Sequence, residues 1–187
     1  AQAALTGVTI QKLQGDTSST ENSDCYGQNA GFLATDGAQA ALTAVSVTTA
    51  ATGGNAVVCY GEGTAVSVTD STVSTTGDHS GGIHVTGGGE LTAWNVDVET
   101  QGNSSAAIRS DRGGGTLTVE DGSYVTNGTG SPAIYSTAQI AVTNAVLTAN
   151  RSEAIVVEGR NSVTLTDCTV SGNMQGTYGP DSGENLH

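Results

Sequence analysis

A six-residue pattern recurs along this chain at nearly constant intervals, and few folds accommodate such a rhythm. It reads Leu5-Thr-Gly-Val-Thr-Ile10, Leu42-Thr-Ala-Val-Ser-Val47, Val68-Thr-Asp-Ser-Thr-Val73 and Ala93-Trp-Asn-Val-Asp-Val98. It continues as Val119-Glu-Asp-Gly-Ser-Tyr-Val125 with one extra residue, Val142-Thr-Asn-Ala-Val-Leu147 and Leu165-Thr-Asp-Cys-Thr-Val170. The starting positions lie 37, 26, 25, 26, 23 and 23 residues apart. A second series, Phe32, Val57, Ile83, Ile108, Ile134 and Ile155, keeps step at spacings of 25, 26, 25, 26 and 21. Two series on one period mean one supersecondary unit repeated. Within each unit apolar and polar residues alternate over short runs, the mark of a strand. Asp70, Asn95, Asp121, Asn144 and Asp167 hold the third pattern position, where residues tolerant of the left-handed region bend a chain between strands. No helix long enough for a crossover fits beside the strands in such a unit. An all-β parallel solenoid of about seven coils, 23–26 residues per coil and about 4.8 Å apart, is the expected fold. A β-sandwich would lack the locked repeat. Thr35–Thr43, rich in Ala, is the one stretch that also reads as helix.

The composition agrees with a narrow core. Aromatics are only 4% of 187 residues, whereas Gly contributes 27, enough for turns in every coil. Inward columns are expected to be Leu5/Leu42/Val68/Ala93/Val119/Val142/Leu165 and Ile10/Val47/Val73/Val98/Val125/Leu147/Val170, with the Phe32-to-Ile155 series as a third. The chain reads as one domain over 1–187. Residues 11–30 look like an inserted loop after an incomplete first coil, and 174–187 like an irregular tail, a truncated further coil. Neither end carries a capping helix, so a longer β-helix or a partner subunit is expected to cover the open coils.

Net charge is −13, which argues against nucleic acid and anionic lipid as partners. No apolar run is long enough for membrane insertion. Low Lys with abundant Ser and Thr suits an extracellular or cell-surface setting. Cys25, Cys59 and Cys168 form no metal pattern. Cys59 and Cys168 would lie about four coils apart, too far for a disulfide. Cys25 with Cys59 stays open, with packing the favoured role for all three.

The apolar–polar–apolar–x–Asn/Asp pattern over roughly residues 30–173 resembles the right-handed parallel β-helix of the pectin-lyase-like superfamily. The stretch from Gly130-Ser-Pro-Ala-Ile-Tyr-Ser-Thr to Leu165-Thr-Asp-Cys-Thr-Val-Ser-Gly-Asn173 is also similar to adhesin-like and carbohydrate-binding β-helical surface proteins of Gram-positive bacteria. The resemblance implies a right-handed coil and a role in adhesion or glycan binding.

Function is expected on the outward columns. One runs Leu33, Val58, His84, Arg109, Tyr135 and Val156; the next runs Thr35, Tyr60, Thr86, Asp111, Thr137 and Glu158. His84, Arg109, Tyr135, Asp111 and Tyr60 are therefore the candidate ligand-binding set. An Arg fork suits a carboxylate, and a Tyr face suits a sugar. The expected partner is a polysaccharide or host or cell-surface glycan, bound without catalysis. A uronate lyase is the enzymatic alternative. Such lyases would hold Ca²⁺ in an acidic cluster and use a Lys or Arg base, but that motif is unmatched, so no catalytic residue, metal site or cofactor is assigned. His79 beside Asp78 is read as a solvated turn. A structural spacer or filament subunit, self-associating end to end, is a third reading. A fourth is an ice-binding face on Thr6, Thr43, Thr69, Thr143 and Thr166, flanked by Ser67, Thr92, Thr118 and Thr164 and broken at Trp94 and Glu120.

Overall fold

The computed structural model describes residues 1–174. The expected tail, Met174 apart, lies outside the described residues. The fold is the expected all-β parallel β-solenoid, with about six turns. The difference between the two sheets arises at the last unit. Seven strands stack along the first leg of an 11-stranded sheet, but only six stack in the second sheet. The first coil supplies all three strands, Gln2–Thr6, Thr9–Lys12 and Phe32–Ala34, with the insertion between the last two, whereas the seventh unit is described only through Ser162–Thr166 and Thr169–Gly172.

The 11-stranded sheet is bent. Its first leg stacks Gln2–Thr6, Gln39–Thr43, Ala65–Thr75, Gly89–Thr100, Gly115–Thr126, Gln139–Thr143 and Ser162–Thr166. Its second leg runs from Thr9–Lys12 through Ser46–Thr49 and the far halves of the three long strands to Val146–Ala149 and Thr169–Gly172. The hinge between legs is the third pattern position. Gly7, Ala44, Asp70, Asn95, Asp121, Asn144 and Asp167 all adopt φ between +50° and +66°. Five of these are Asp or Asn, which bear that conformation at lower cost than other side chains. The short second sheet stacks Phe32–Ala34, Val57–Tyr60, Ile83–Thr86, Ile108–Ser110, Ile134–Ser136 and Ile155–Val157.

Register makes the core. Leu42, Val68, Ala93, Val119 and Val142 align and are buried, as do Val57, Ile83, Ile108 and Ile134. The second expected column holds with one correction. Tyr124, not Val125, pairs with Val98 and Leu147 and points into the core. Asp121 takes the hinge opposite Asn95, so the unit has six residues and no extra one; an apolar Val125 beside Tyr124 invited the misalignment. A further buried column, Val66, Leu91, Leu117 and Ile140, lies two residues upstream of the first.

One corner of the coil is polar inside. Thr49, Thr75 and Thr100 donate their hydroxyls to Gly54, Ser80 and Ser105 carbonyls at 2.5, 2.5 and 2.6 Å, and Thr126 donates to the Ser131 carbonyl. Ser80, Ser105 and Ser131 hydroxyls each accept a backbone N–H from the preceding coil, at 3.0, 2.9 and 2.9 Å. These bonds satisfy buried groups that would otherwise each cost about 1–3 kcal/mol. Its sequence signature is Thr-x-Gly-x-x-Ser at Thr75–Ser80, Thr100–Ser105 and Thr126–Ser131.

All three cysteines are free thiols, which resolves the Cys25–Cys59 question. Cys59 fills the inward slot between Ala34 and Val85, and burial pushes its thiol up to about 11. The Ala-rich stretch is not helical: Gln39–Thr43 is a strand. The helix lies in the insertion instead, as α1 (Thr20–Tyr26).

Candidate functional site

Strand register places the candidate residues side by side. Val58, His84, Arg109, Tyr135 and Val156 stand in one row on successive coils of the short sheet. Tyr60 aligns with Thr86 in the neighbouring row. Asp111 follows the Ile108–Ser110 strand and returns to His84 and Arg109: its Oδ2 is 2.7 Å from Arg109 Nε and 3.0 Å from His84 Nε2. The expected constellation therefore exists, apart from Tyr60, which meets Tyr26 of α1 edge to face at 5.7 Å.

The expectation of an open face is corrected. His84 is fully buried, Arg109 is 4% exposed and Tyr135 is 8% exposed. The cover is the insertion. Ser19 caps the N-terminus of α1, and Gly27, at φ +67°, ends it. This lays Ser23, Asp24 and Cys25 over the row. Asp24 Oδ2 sits 2.9 Å from Arg109 Nη2, and His79 Nδ1 approaches the same oxygen at 3.9 Å. Asn55 Nδ2 donates to the Ser23 carbonyl at 3.2 Å, and Thr86 Oγ1 donates to the Cys25 carbonyl at 3.0 Å. At the outer edge Arg112 pairs with Glu21. Gly27 packs on Leu33 and Val58 so closely that a Cβ there would lie 2.7 Å from each.

The electrostatics follow from two carboxylates around one guanidinium. Burial opposes the charge on Arg109, but Asp111 and then Asp24 outweigh it and hold the guanidinium firmly protonated. Burial likewise acts to raise Asp111, yet Arg109 and the adjoining His84 outweigh it, holding the carboxyl below its usual range. Burial, followed by the nearby Glu158 charge, pushes the Tyr135 hydroxyl up. The network is incompletely satisfied. His84 Nδ1 and Arg109 Nη1 are buried without a hydrogen-bond partner, and His84 Nε2 is near Asp111 but off hydrogen-bond alignment. Among the described residues no three His, Cys, Asp or Glu side chains converge on a metal-sized site.

Sequence reasoning missed Asp24, although a signal was present. Leu33, Val58 and Val156 lie in an outward row, and outward apolar residues on a sheet call for a cover.

The bent sheet presents the opposite picture. Its outward first-leg row runs Thr6, Thr43, Thr69, Trp94, Glu120, Thr143 and Thr166, in the expected order. The neighbouring row runs Ala41, Ser67, Thr92, Thr118, Ala141 and Thr164. Trp94 is 47% exposed, with Thr69 and Glu120 on either side. Asn95 donates its amide to Asp70 Oδ1 at 2.7 Å along the adjacent hinge. A shallow groove of about 720 Å³, floored by Ala4, Ala41 and Ser67, adjoins this face at Glu90 and Thr92. This groove lies away from the Arg109 row.

No family model, no curated protein and no solved structure matches the chain.

Proposed function

We propose that this chain is a non-catalytic β-solenoid that binds glycans in adhesion at a cell surface, of the kind the pectin-lyase-like and Gram-positive adhesin resemblances imply. The observation that carries this reading is Trp94, the chain's single tryptophan, half exposed on a flat hydroxyl-bearing face. An indole in that position offers the apolar face of a pyranose a stacking partner. Thr69, Thr92 and Thr118 supply hydroxyls around it, and Glu120 and Asn95 supply groups that pair with sugar hydroxyls. Strand pairing fixes successive residues of each row about 4.8 Å apart, so the ligand loses its freedom against a surface that has none to lose. The Ser/Thr-rich, Lys-poor composition supports an extracellular location.

A glycan array tests the reading. Trp94→Ala should weaken every hit by about 30-fold, the ~2 kcal/mol typical of a tryptophan hot spot, and leave thermal stability unchanged because the ring is half in water. An array with no hits for the parent protein, or hits indifferent to Trp94, would refute it.

A further inference from the structure

We propose that residues 13–30 are a displaceable cover, and that Asp24 holds in cis the place where the carboxylate of a uronic-acid-bearing glycan docks on Arg109. The site is a second one, beyond the Trp94 face.

Three observations carry the inference. First, the cover does not belong to the repeat. Every strand of the short sheet from Val57–Tyr60 onward follows its predecessor at coil spacing, and the segment that lies over them enters within the first coil, between Thr9–Lys12 and Phe32–Ala34, as extra chain. Its only regular element is the seven-residue α1, too short to persist without the sheet beneath it, so an opened cover melts rather than swings.

Second, the contact between cover and row has the chemistry of a bound ligand. Arg109 is the only cation in the row, and Asp24 brings it a carboxylate oxygen at 2.9 Å. Asp111 holds Nε at 2.7 Å, which fixes the plane of the guanidinium. Nη1 remains without a partner, as does His84 Nδ1 on the adjacent coil. A carboxylate presented edge-on can take both Nη1 and Nη2, a bidentate fit that Asp24 does not make. An external uronate therefore has an unspent donor to gain, and this differential is what shifts an equilibrium between closed and open states.

Third, the rest of the row suits a sugar ring. Tyr135 lies beside Arg109 on the next coil, and Val58 and His84 complete the floor. Besides the Asp24–Arg109 and Glu21–Arg112 pairs, the Tyr26–Tyr60 contact and the packing of Gly27, the cover is held by side-chain bonds. Asn55 donates to the Ser23 carbonyl, Thr86 to the Cys25 carbonyl, and Asn29 Nδ2 to the Thr52 carbonyl at 2.9 Å.

The test is hydrogen exchange on the full chain with and without trigalacturonate, with neutral galactotriose as the control. In the parent protein trigalacturonate should speed exchange of the 20–28 amides at least tenfold and leave the 83–86 and 108–110 amides unchanged; galactotriose should do neither. Two variants loosen the cover by different routes. Asp24→Asn removes the in-cis carboxylate. Gly27→Ala keeps every charge but drives a methyl into Leu33 and Val58. Each should bind trigalacturonate at least tenfold tighter than the parent. Absence of a trigalacturonate effect in all three proteins overturns the proposal. So does loss of protection throughout the coils in both variants, since the segment would then be an integral part of the solenoid. Trp94→Ala should change none of these readings, which separates this proposal from the preceding one.

Discussion

Gly102→Ala probes the coil stack at one of its tightest points. A Cβ on Gly102 would lie 1.9 Å from the Gly77 carbonyl oxygen, and one on Gly128 would meet the Gly102 oxygen in the same way. Both partners are backbone, so no rotamer relieves the clash. Gly102 is outside the left-handed region, and the cost is therefore steric alone. Restoring ordinary contact requires the two coils to part by about 1.5 Å at this corner, given the 1.9 Å starting distance. Three bonds span that corner: Gln101 N to Thr75 O at 2.9 Å, His79 N to Asn103 O at 2.9 Å and Asn103 N to Asp78 Oδ1 at 2.7 Å. At about 1 kcal/mol each, their loss costs ~3 kcal/mol. For a chain of this size that corresponds to a fall in Tm of roughly 6–12 °C. Circular dichroism melts would be compared with those of Gly63→Ala. Gly63 has open space around its Cβ position but φ +74°, so it should lose only ~1 kcal/mol of backbone strain. If Gly102→Ala melts no lower than Gly63→Ala, the close approach of the coils is wrong.

Three shorter predictions follow from buried polar groups. Tyr124→Phe removes a hydroxyl that has no partner in the core; urea unfolding should show unchanged stability or a gain of about 1 kcal/mol, and a loss would mean the phenol is bonded. Asp111→Asn should cost ~3 kcal/mol near neutral pH by breaking a buried pair. Because Asp111, despite its burial, is held by Arg109 below the ordinary carboxylate value, its contribution is complete above that ordinary value and lost as pH falls through the lower folded value. The gap between the parent and Asp111→Asn unfolding midpoints should therefore narrow as pH falls below about 4, and a gap that widens on acidification would contradict the assignment. Cys59, fully buried with its thiol pushed to about 11, should resist alkylation at pH 8 in the folded protein while Cys168 reacts. Mass spectrometry of labelled peptides decides this, and early labelling of Cys59 would refute its placement.

The coil was legible because its determinants are local and repeated. Each hinge residue is marked by Asp or Asn and each inward position by an aliphatic at fixed spacing, so neighbouring units vote on the same register. Where one unit carried conflicting marks, as at Tyr124 and Val125, the alignment slipped by one residue. The Thr-x-Gly-x-x-Ser corner was equally repeated but went unread, because buried hydroxyls do not advertise themselves as core. The cover was illegible for a different reason. It occurs once, and Asp24 meets Arg109 across 85 residues of sequence with no periodicity to announce the meeting. Only the outward Leu33 and Val58 hinted that something must lie on that row.

The distribution of charge divides the two faces. The long strands Ala65–Thr75, Gly89–Thr100 and Gly115–Thr126 carry Asp70, Glu90, Asp97, Glu99, Glu120 and Asp121 and no basic residue. A polyanion is therefore repelled from the Trp94 face, and salt should weaken that repulsion rather than any attraction. Glycans bound there should be neutral or amine-bearing. On the other side, Arg109 is one of only five basic residues in the chain, and it is spent on two carboxylates of the protein's own. An acidic sugar has no cation to meet on this rod's short sheet unless Asp24 withdraws. Under the two proposals, opposite ligand charge at the two faces follows from where the insertion lies, and a single array read with and without Gly27→Ala tests both faces at once.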